Sequence, residues 1–230
     1  MMSKPQDGFV SRFLNRPISR FITRFLLKLP IHPSIWTMSI FVLPVLCCGF
    51  LLRGDYGSIV IGTALFQLYS ILDGCDGEIA RAKNLESKFG EFLDNFCDVV
   101  ASLLFVIALG FGLNHSREGI VCAVVIAANE WFLGISQTPT RVTSPEFYTR
   151  HRRMIEHSGL IFLGDRLVWW IMQLTKRDVA ILVFFLLALL GRADWILHLW
   201  LAVAVVSLVL SGVAALRSGI RHGQVTVPRS

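Results

Sequence analysis

Long apolar runs separated by short polar turns set the pattern of this chain. Ile35 to Leu52 is apolar almost throughout, Arg53–Ser58 is a polar turn, and the run resumes from Ile59 to about Ile79. Phe89 to Leu113 follows; Asn114–Glu118 turns the chain, and Gly119 to Ile135 is apolar again. Val179–Leu190 with its flanks and Trp195 to about Leu216 complete the set, joined by the tight turn Gly191–Asp194. A helix of about 20 apolar residues crosses the hydrocarbon core of a bilayer. The pattern therefore predicts an all-α integral membrane protein with six transmembrane helices.

Ahead of the first run the pattern changes. Arg12, Arg16, Arg20, Arg24 and Lys28 recur every fourth residue against Ile18, Phe21, Ile22, Phe25 and Leu29. With Pro17 suited to a first turn, this predicts an N-terminal amphipathic juxtamembrane helix lying on the membrane surface. With the regular Arg and no small-residue cleavage site, a signal peptide is not expected here. Between the fourth and fifth runs, Thr138 to Arg177 is polar and basic. Its apolar part, Leu160–Leu174, carries Asp165 and Arg166 at its middle and Trp169 and Trp170 beyond them, so an interfacial helix is expected there. The expected organisation is a cytoplasmic N-terminus with the amphipathic helix over 1–33, a membrane domain over 34–217 and a cytoplasmic tail over 218–230. No further soluble domain is expected at this length.

Composition agrees with a membrane protein: 54% of residues are hydrophobic and the mean hydropathy is +0.61. The net charge of +6 would attract nucleic acid, but the basic residues sit beside the apolar runs, where anionic headgroups explain them. Nucleic acid is therefore not an expected partner. Basic residues gather before the first run, between the second and third, in Thr138–Arg177 and after the sixth. The positive-inside rule then puts both termini in the cytoplasm, and a prokaryotic cell membrane is the expected location. The five cysteines all fall in apolar segments without metal-ligand spacing, and read as small core residues.

One stretch does not fit an inert membrane helix. Asp73 to Asp98 reads DGCDGEIARAKNLESKFGEFLDNFCD. Acids at mid-bilayer cost about 2.5–3.5 kcal/mol each, so four left bare would cost roughly 10 kcal/mol. On a helix Asp73 and Asp76 lie about 60° apart, and Gly90, Asp94 and Asp98 step by four down one stripe. A short turn over Ala82 to Lys88 would set the two acidic faces against each other, at the cytoplasmic side. Hard divalent cations want such an oxygen-rich site, and a pair of them suits phosphoryl transfer. Asn129 and Glu130 also interrupt an apolar run, where a buried acid should face a cavity or a partner. A divalent-cation transporter or channel could use the Asp cluster too, but all four acids gather at one face and trace no path across.

The pattern D-x2-D-G-x2-A-R-x8-G-x3-D-x3-D over Asp73–Asp98 resembles the signature of the CDP-alcohol phosphotransferase family at every fixed position. Upstream, Pro33 and Thr37 are similar to the family's P-N-x-[LIV]-T opening, with Ser34 in place of Asn. The resemblance implies a six-helix membrane enzyme that transfers a phosphoalcohol from a CDP-linked donor to an acceptor hydroxyl and releases CMP. It implies two divalent ions, Mg²⁺ or Mn²⁺, held by Asp73, Asp76, Asp94 and Asp98, with Asp98 also the catalytic base. It implies contact with the CDP donor at Asp73, Gly77, Ala80, Arg81 and Gly90, and a homodimer in the membrane. The segments DGFVSRFLNRPISRFITRFL and TKRD (175–178) are similar to the inositol-phosphate-using branch. A phosphorylated acceptor would need cations, and Arg141, Arg150, Arg153, Lys176 and Arg177 are candidates. CDP-diacylglycerol and CDP-inositol both remain as donors.

Overall fold

A computed structural model of the chain describes residues 9–136 and 177–223. Every regular element among them is helical. A π-helical turn, Ser11–Asn15, leads into α1 (Arg16–Leu26), followed by α2 (Pro33–Ile40), α3 (Val42–Leu51), α4 (Tyr56–Lys83), α5 (Lys88–Gly112) and α6 (Ser116–Ser136). Helices α7 (Arg177–Leu189) and α8 (Asp194–Gly223) complete the described chain. Of the segment Thr138–Arg177, only Arg177 lies within the described residues, so Arg141, Arg150, Arg153 and Lys176 fall outside them.

Helices α2 and α3 form one apolar rod, Pro33–Leu51, with an interruption at Phe41. Pro44 explains it: lacking an N–H, it cannot donate to the carbonyl of Ile40 four residues back. This rod, α4 and α5 are each long and apolar enough to cross a membrane. At 1.5 Å per residue they measure about 28, 42 and 37 Å, against roughly 30 Å of hydrocarbon. Helix α4 therefore overshoots the core, and its last turns, which carry the Asp motif, have length to reach the headgroup region.

The ends of α4 and α5 are capped by side chains. The Asp55 carboxylate accepts from the backbone N–H of Ser58 (2.9 Å), and the Ser87 hydroxyl accepts from that of Gly90 (3.0 Å). At its other end α4 closes in a Schellman pattern, with Leu85 N–H donating to Ala80 O (2.8 Å) around Asn84 at φ 54°. The connection to α5 is consequently Asn84 to Ser87, shorter than the turn expected over Ala82 to Lys88. Helix α4 continues to Lys83 because Asn84 tolerates the left-handed backbone that the cap requires.

Helices α4 and α5 seldom approach closely along their backbones; α2 and α3 pack on both, and α7 packs on α4. Aromatic side chains fill part of the gap. Phe66 on α4 meets Phe105 on α5 at 4.5 Å between centroids, and Phe184 on α7 meets Trp200 on α8 at 4.8 Å. Helices α5 and α6 instead touch backbone to backbone. A Cβ on Gly110 would lie 2.7 Å from the Cα of Gly119, the small-residue contact by which helices associate in lipid. On α6 the two polar residues divide: Asn129 is buried, whereas Glu130 is exposed and lies within electrostatic reach of Asp98 and Arg177. One residue of rotation, about 100°, separates the two environments.

Candidate metal centre

The C-terminal turns of α4 and the N-terminal turns of α5 bring three acids together. One carboxylate oxygen from each of Asp73, Asp76 and Asp94 lies within 4.8 Å of the other two. Asp76 is buried, and Asp73 and Asp94 are half-buried. The Oδ1 atoms of Asp73 and Asp94 are buried without a hydrogen-bond partner among the described residues. Like charges this close in a sheltered site repel strongly, and desolvated oxygens without donors are costly. An oxygen-only donor set with orphaned atoms fits a hard divalent cation.

Asp76 is held from behind. Thr37 on α2 donates its hydroxyl to Asp76 Oδ2 (2.7 Å) while also bonding the Pro33 carbonyl (3.2 Å). The bend at Phe41 leaves α2 leaning on α4, and Trp36 Nε1 donates to the Leu72 carbonyl (3.1 Å) on the same side. The family-like Pro33–Thr37 segment is therefore a support for the second aspartate. Ser34 faces Gly90: a Cβ on Gly90 would stand 3.9 Å from its hydroxyl.

Asp98 is set apart from the trio. Its Oδ1 accepts from the buried Tyr69 hydroxyl (3.1 Å), and its Oδ2 pairs with the Arg177 guanidinium from the start of α7. Nε and Nη2 of Arg177 are buried without a hydrogen-bond partner among the described residues, so two donors remain beside Asp98. Arg81 folds back over Gly77, where an added Cβ would meet its Nη1 at 3.2 Å. Ala80 is half-buried. Of the residues singled out by sequence, Asp73, Asp76 and Asp94 converge on one point, Asp98 and Arg177 form a pair beside it, and Gly77 and Arg81 lie together.

Tyr69 and Thr37 are the supports that the sequence pattern did not single out for these roles. Tyr69 stands four residues before Asp73, so it projects from the same face of α4. That spacing was the available signal.

A sequence model of the CDP-alcohol phosphatidyltransferase family matches residues 30–207. A bifunctional IPC transferase and DIPP synthase of Archaeoglobus fulgidus is 30% identical over 204 residues, covering 88% of this chain and 37% of the relative. The protein of the same description from Rubrobacter xylanophilus is 44% identical over 145 residues, 60% of this chain and 33% of the relative. The chain thus spans about a third of the length of these curated relatives. The chain belongs to the CDP-alcohol phosphatidyltransferase family.

Proposed function

We propose that this protein transfers a phosphoalcohol group from a CDP-linked donor to an acceptor hydroxyl, in a divalent-metal-dependent reaction that releases CMP. The observation that carries this reading is the convergence of Asp73, Asp76 and Asp94 on the helix pair that bears the family signature, with Oδ1 of Asp73 and of Asp94 buried and without a partner among the described residues. These three would hold Mg²⁺ or Mn²⁺, with Asp98 completing a second position. Such ions, when bound, supply charge neutralisation at the donor's pyrophosphate and acidify the attacking hydroxyl.

The chain's own residues do the rest. Gly77 and Ala80 leave space for the cytidine end of the donor, and Gly90, opposite Ser34, leaves space on the α5 side. Arg81 presents a planar fork to the donor phosphates. The acceptor oxygen bonds to the phosphorus that carries the donor's alcohol, and the bond from that phosphorus to the bridging oxygen breaks, releasing CMP. Asp98 takes the hydroxyl proton through Oδ2 once Arg177 turns aside, while Tyr69 keeps Oδ1 oriented. With Nε and Nη2 lacking a partner among the described residues, Arg177 is the residue of the basic set best placed to bind a phosphate on the acceptor. The membrane arrangement follows: α2–α3, α4, α5, α6, α7 and α8 as six spans, α1 at the interface, both termini and the site cytoplasmic. The homodimer and the remaining basic ligands, Arg141, Arg150, Arg153 and Lys176, belong to the same reading.

Inositol phosphate is the proposed acceptor, supported by the resemblance of residues 7–26 and 175–178 and by the relatives' names. Donor choice is tested with purified protein, Mg²⁺ and inositol phosphate, following CMP release from CDP-diacylglycerol or CDP-inositol. Release with the first makes the protein a phospholipid synthase; release with only the second makes it an inositol phosphodiester synthase. Silence from both overturns inositol phosphate as acceptor. Thr37→Val, which removes the hydroxyl from Asp76 at nearly constant volume, is expected to raise the metal concentration for half-maximal rate about 10-fold. A metal titration of CMP release checks this.

A further inference from the structure

Glu78 is a buried acid that the reaction does not use. Five residues after Asp73 and two after Asp76, it projects about 140° and 160° from them around α4, away from the metal centre. It is 3% exposed. Among the described residues, its side-chain partners come from α1. Ser19 donates its hydroxyl to Oε1 (3.0 Å), Thr23 donates to Oε2 (2.8 Å), and Arg16 Nη1 reaches Oε1 at 3.4 Å.

These contacts are the centre of a polar seam. On α1 and the turn before it, Asn15, Ser19 and Thr23 step by four and are all buried. On α4 the facing positions are Gln67, Ser70, Gly74 and Glu78. Gln67 Nε2 donates to Asn15 Oδ1 (3.2 Å), and Arg16 Nη1 donates to the Gly74 carbonyl (3.3 Å). A Cβ on Gly74 would meet that Nη1 at 3.2 Å, so glycine at this position admits the guanidinium. At the far end, the Ser11 N–H donates to the Asp178 carboxylate next to Arg177.

Meanwhile Phe13, Phe21 and Phe25 face outward, 65%, 59% and 54% exposed. Helix α1 thus turns its polar side in, with Leu26 and Ile22 packing beside it on Cys75 and Ile79 of α4, and its aromatic side out. Apolar burial does not fasten such a helix to its neighbour in lipid; interhelical polar bonds do. Glu78 is the residue on which three of those bonds meet.

The backbone it braces is the part of α4 that carries the metal centre. Gly74 and Gly77 flank Asp76, and glycines are the residues least able to hold a helix against bending. Cys75 between them also donates to the Ser19 carbonyl (3.5 Å). We infer that Glu78 is a positioning residue: by fastening α1 along the back of α4 it fixes the orientation of Asp73 and Asp76 toward Asp94. This rests on the proposed metal site, and the test separates the two.

The test compares full-length protein with the variants Glu78→Gln and Ser19→Ala/Thr23→Val. Mn²⁺ binding is read by electron paramagnetic resonance and, separately, CMP release is titrated with Mn²⁺. Both variants are expected to bind Mn²⁺ on the order of 10-fold more weakly, with the half-saturating metal concentration raised by the same factor. The rate at saturating metal is expected within about 3-fold of the parent. A merely structural loss would lower the active fraction without moving the half-saturation point. Unchanged Mn²⁺ affinity in the variants, with the parent binding normally, overturns the bracing role. Failure of the parent to bind Mn²⁺ overturns the metal site itself. Should Glu78→Gln not fold, the α1 double variant, which leaves every acid in place, decides the question alone.

Discussion

Asp94→Asn is expected to lower CMP release on the order of 10³-fold, the scale on which enzymes slow when a preorganised electrostatic group is removed. The same variant is expected to melt at a higher temperature than the parent when both are held in chelator. The two effects have one cause. Asp94 brings a carboxylate to within 4.8 Å of Asp73 and Asp76, and its Oδ1 is buried without a partner among the described residues. Two like charges at that distance repel by about 3 kcal/mol at an effective dielectric of 20, so removing one relieves the folded state while depriving a cation of its ligand. Thermal melts with EDTA and with added Mg²⁺ check this. The parent should gain stability from Mg²⁺ and the variant little. A variant that loses both activity and stability in chelator would show Asp94 to be a structural residue.

Asp98→Asn is expected to separate binding from chemistry. Asp98 stands outside the trio, with Tyr69 on one oxygen and Arg177 on the other. Asparagine keeps the size and an acceptor for Tyr69, and it leaves Asp73, Asp76 and Asp94 in place. Donor affinity should therefore stay within about 3-fold, while turnover falls on the order of 10²–10⁴-fold, the range contributed by a positioned proton acceptor. Equilibrium binding of the CDP donor and single-turnover CMP formation measure the two parts. Undiminished turnover in this variant would remove Asp98 from the role of base.

The convergence of Asp73, Asp76 and Asp94 was legible in sequence because helical spacing alone decides which acids share a face. The positions of the apolar helices were legible for a similar reason, since their length and composition follow from bilayer thickness. What surrounds Asp98 was not. Tyr69 and Arg177 reach it from 29 and 79 positions away in the chain, and only the packing of α7 on α4 brings Arg177 there. The inward face of α1 was hidden by a competing pattern. The four-residue repeat of Arg12 to Lys28 dominates that segment, and the equally regular Asn15, Ser19 and Thr23 read as fillers until Glu78 appears opposite them. Glu78 itself sits inside the signature, where the fixed aspartates draw attention away from it. Asn84 lengthened α4 beyond the expected turn because a left-handed cap depends on one backbone angle, which spacing does not reveal.

The most direct test of the central claim is metal-dependent chemistry in reconstituted vesicles. The protein in proteoliposomes is given CDP-linked donor and acceptor, and CMP release is followed with Mg²⁺ or Mn²⁺, with chelator, and after metal is restored. Entry of the same cation into the vesicle lumen is followed in parallel. The account predicts CMP release that stops in chelator and resumes on adding metal, with no metal flux. Metal flux without CMP release would contradict it and make the aspartates a cation path.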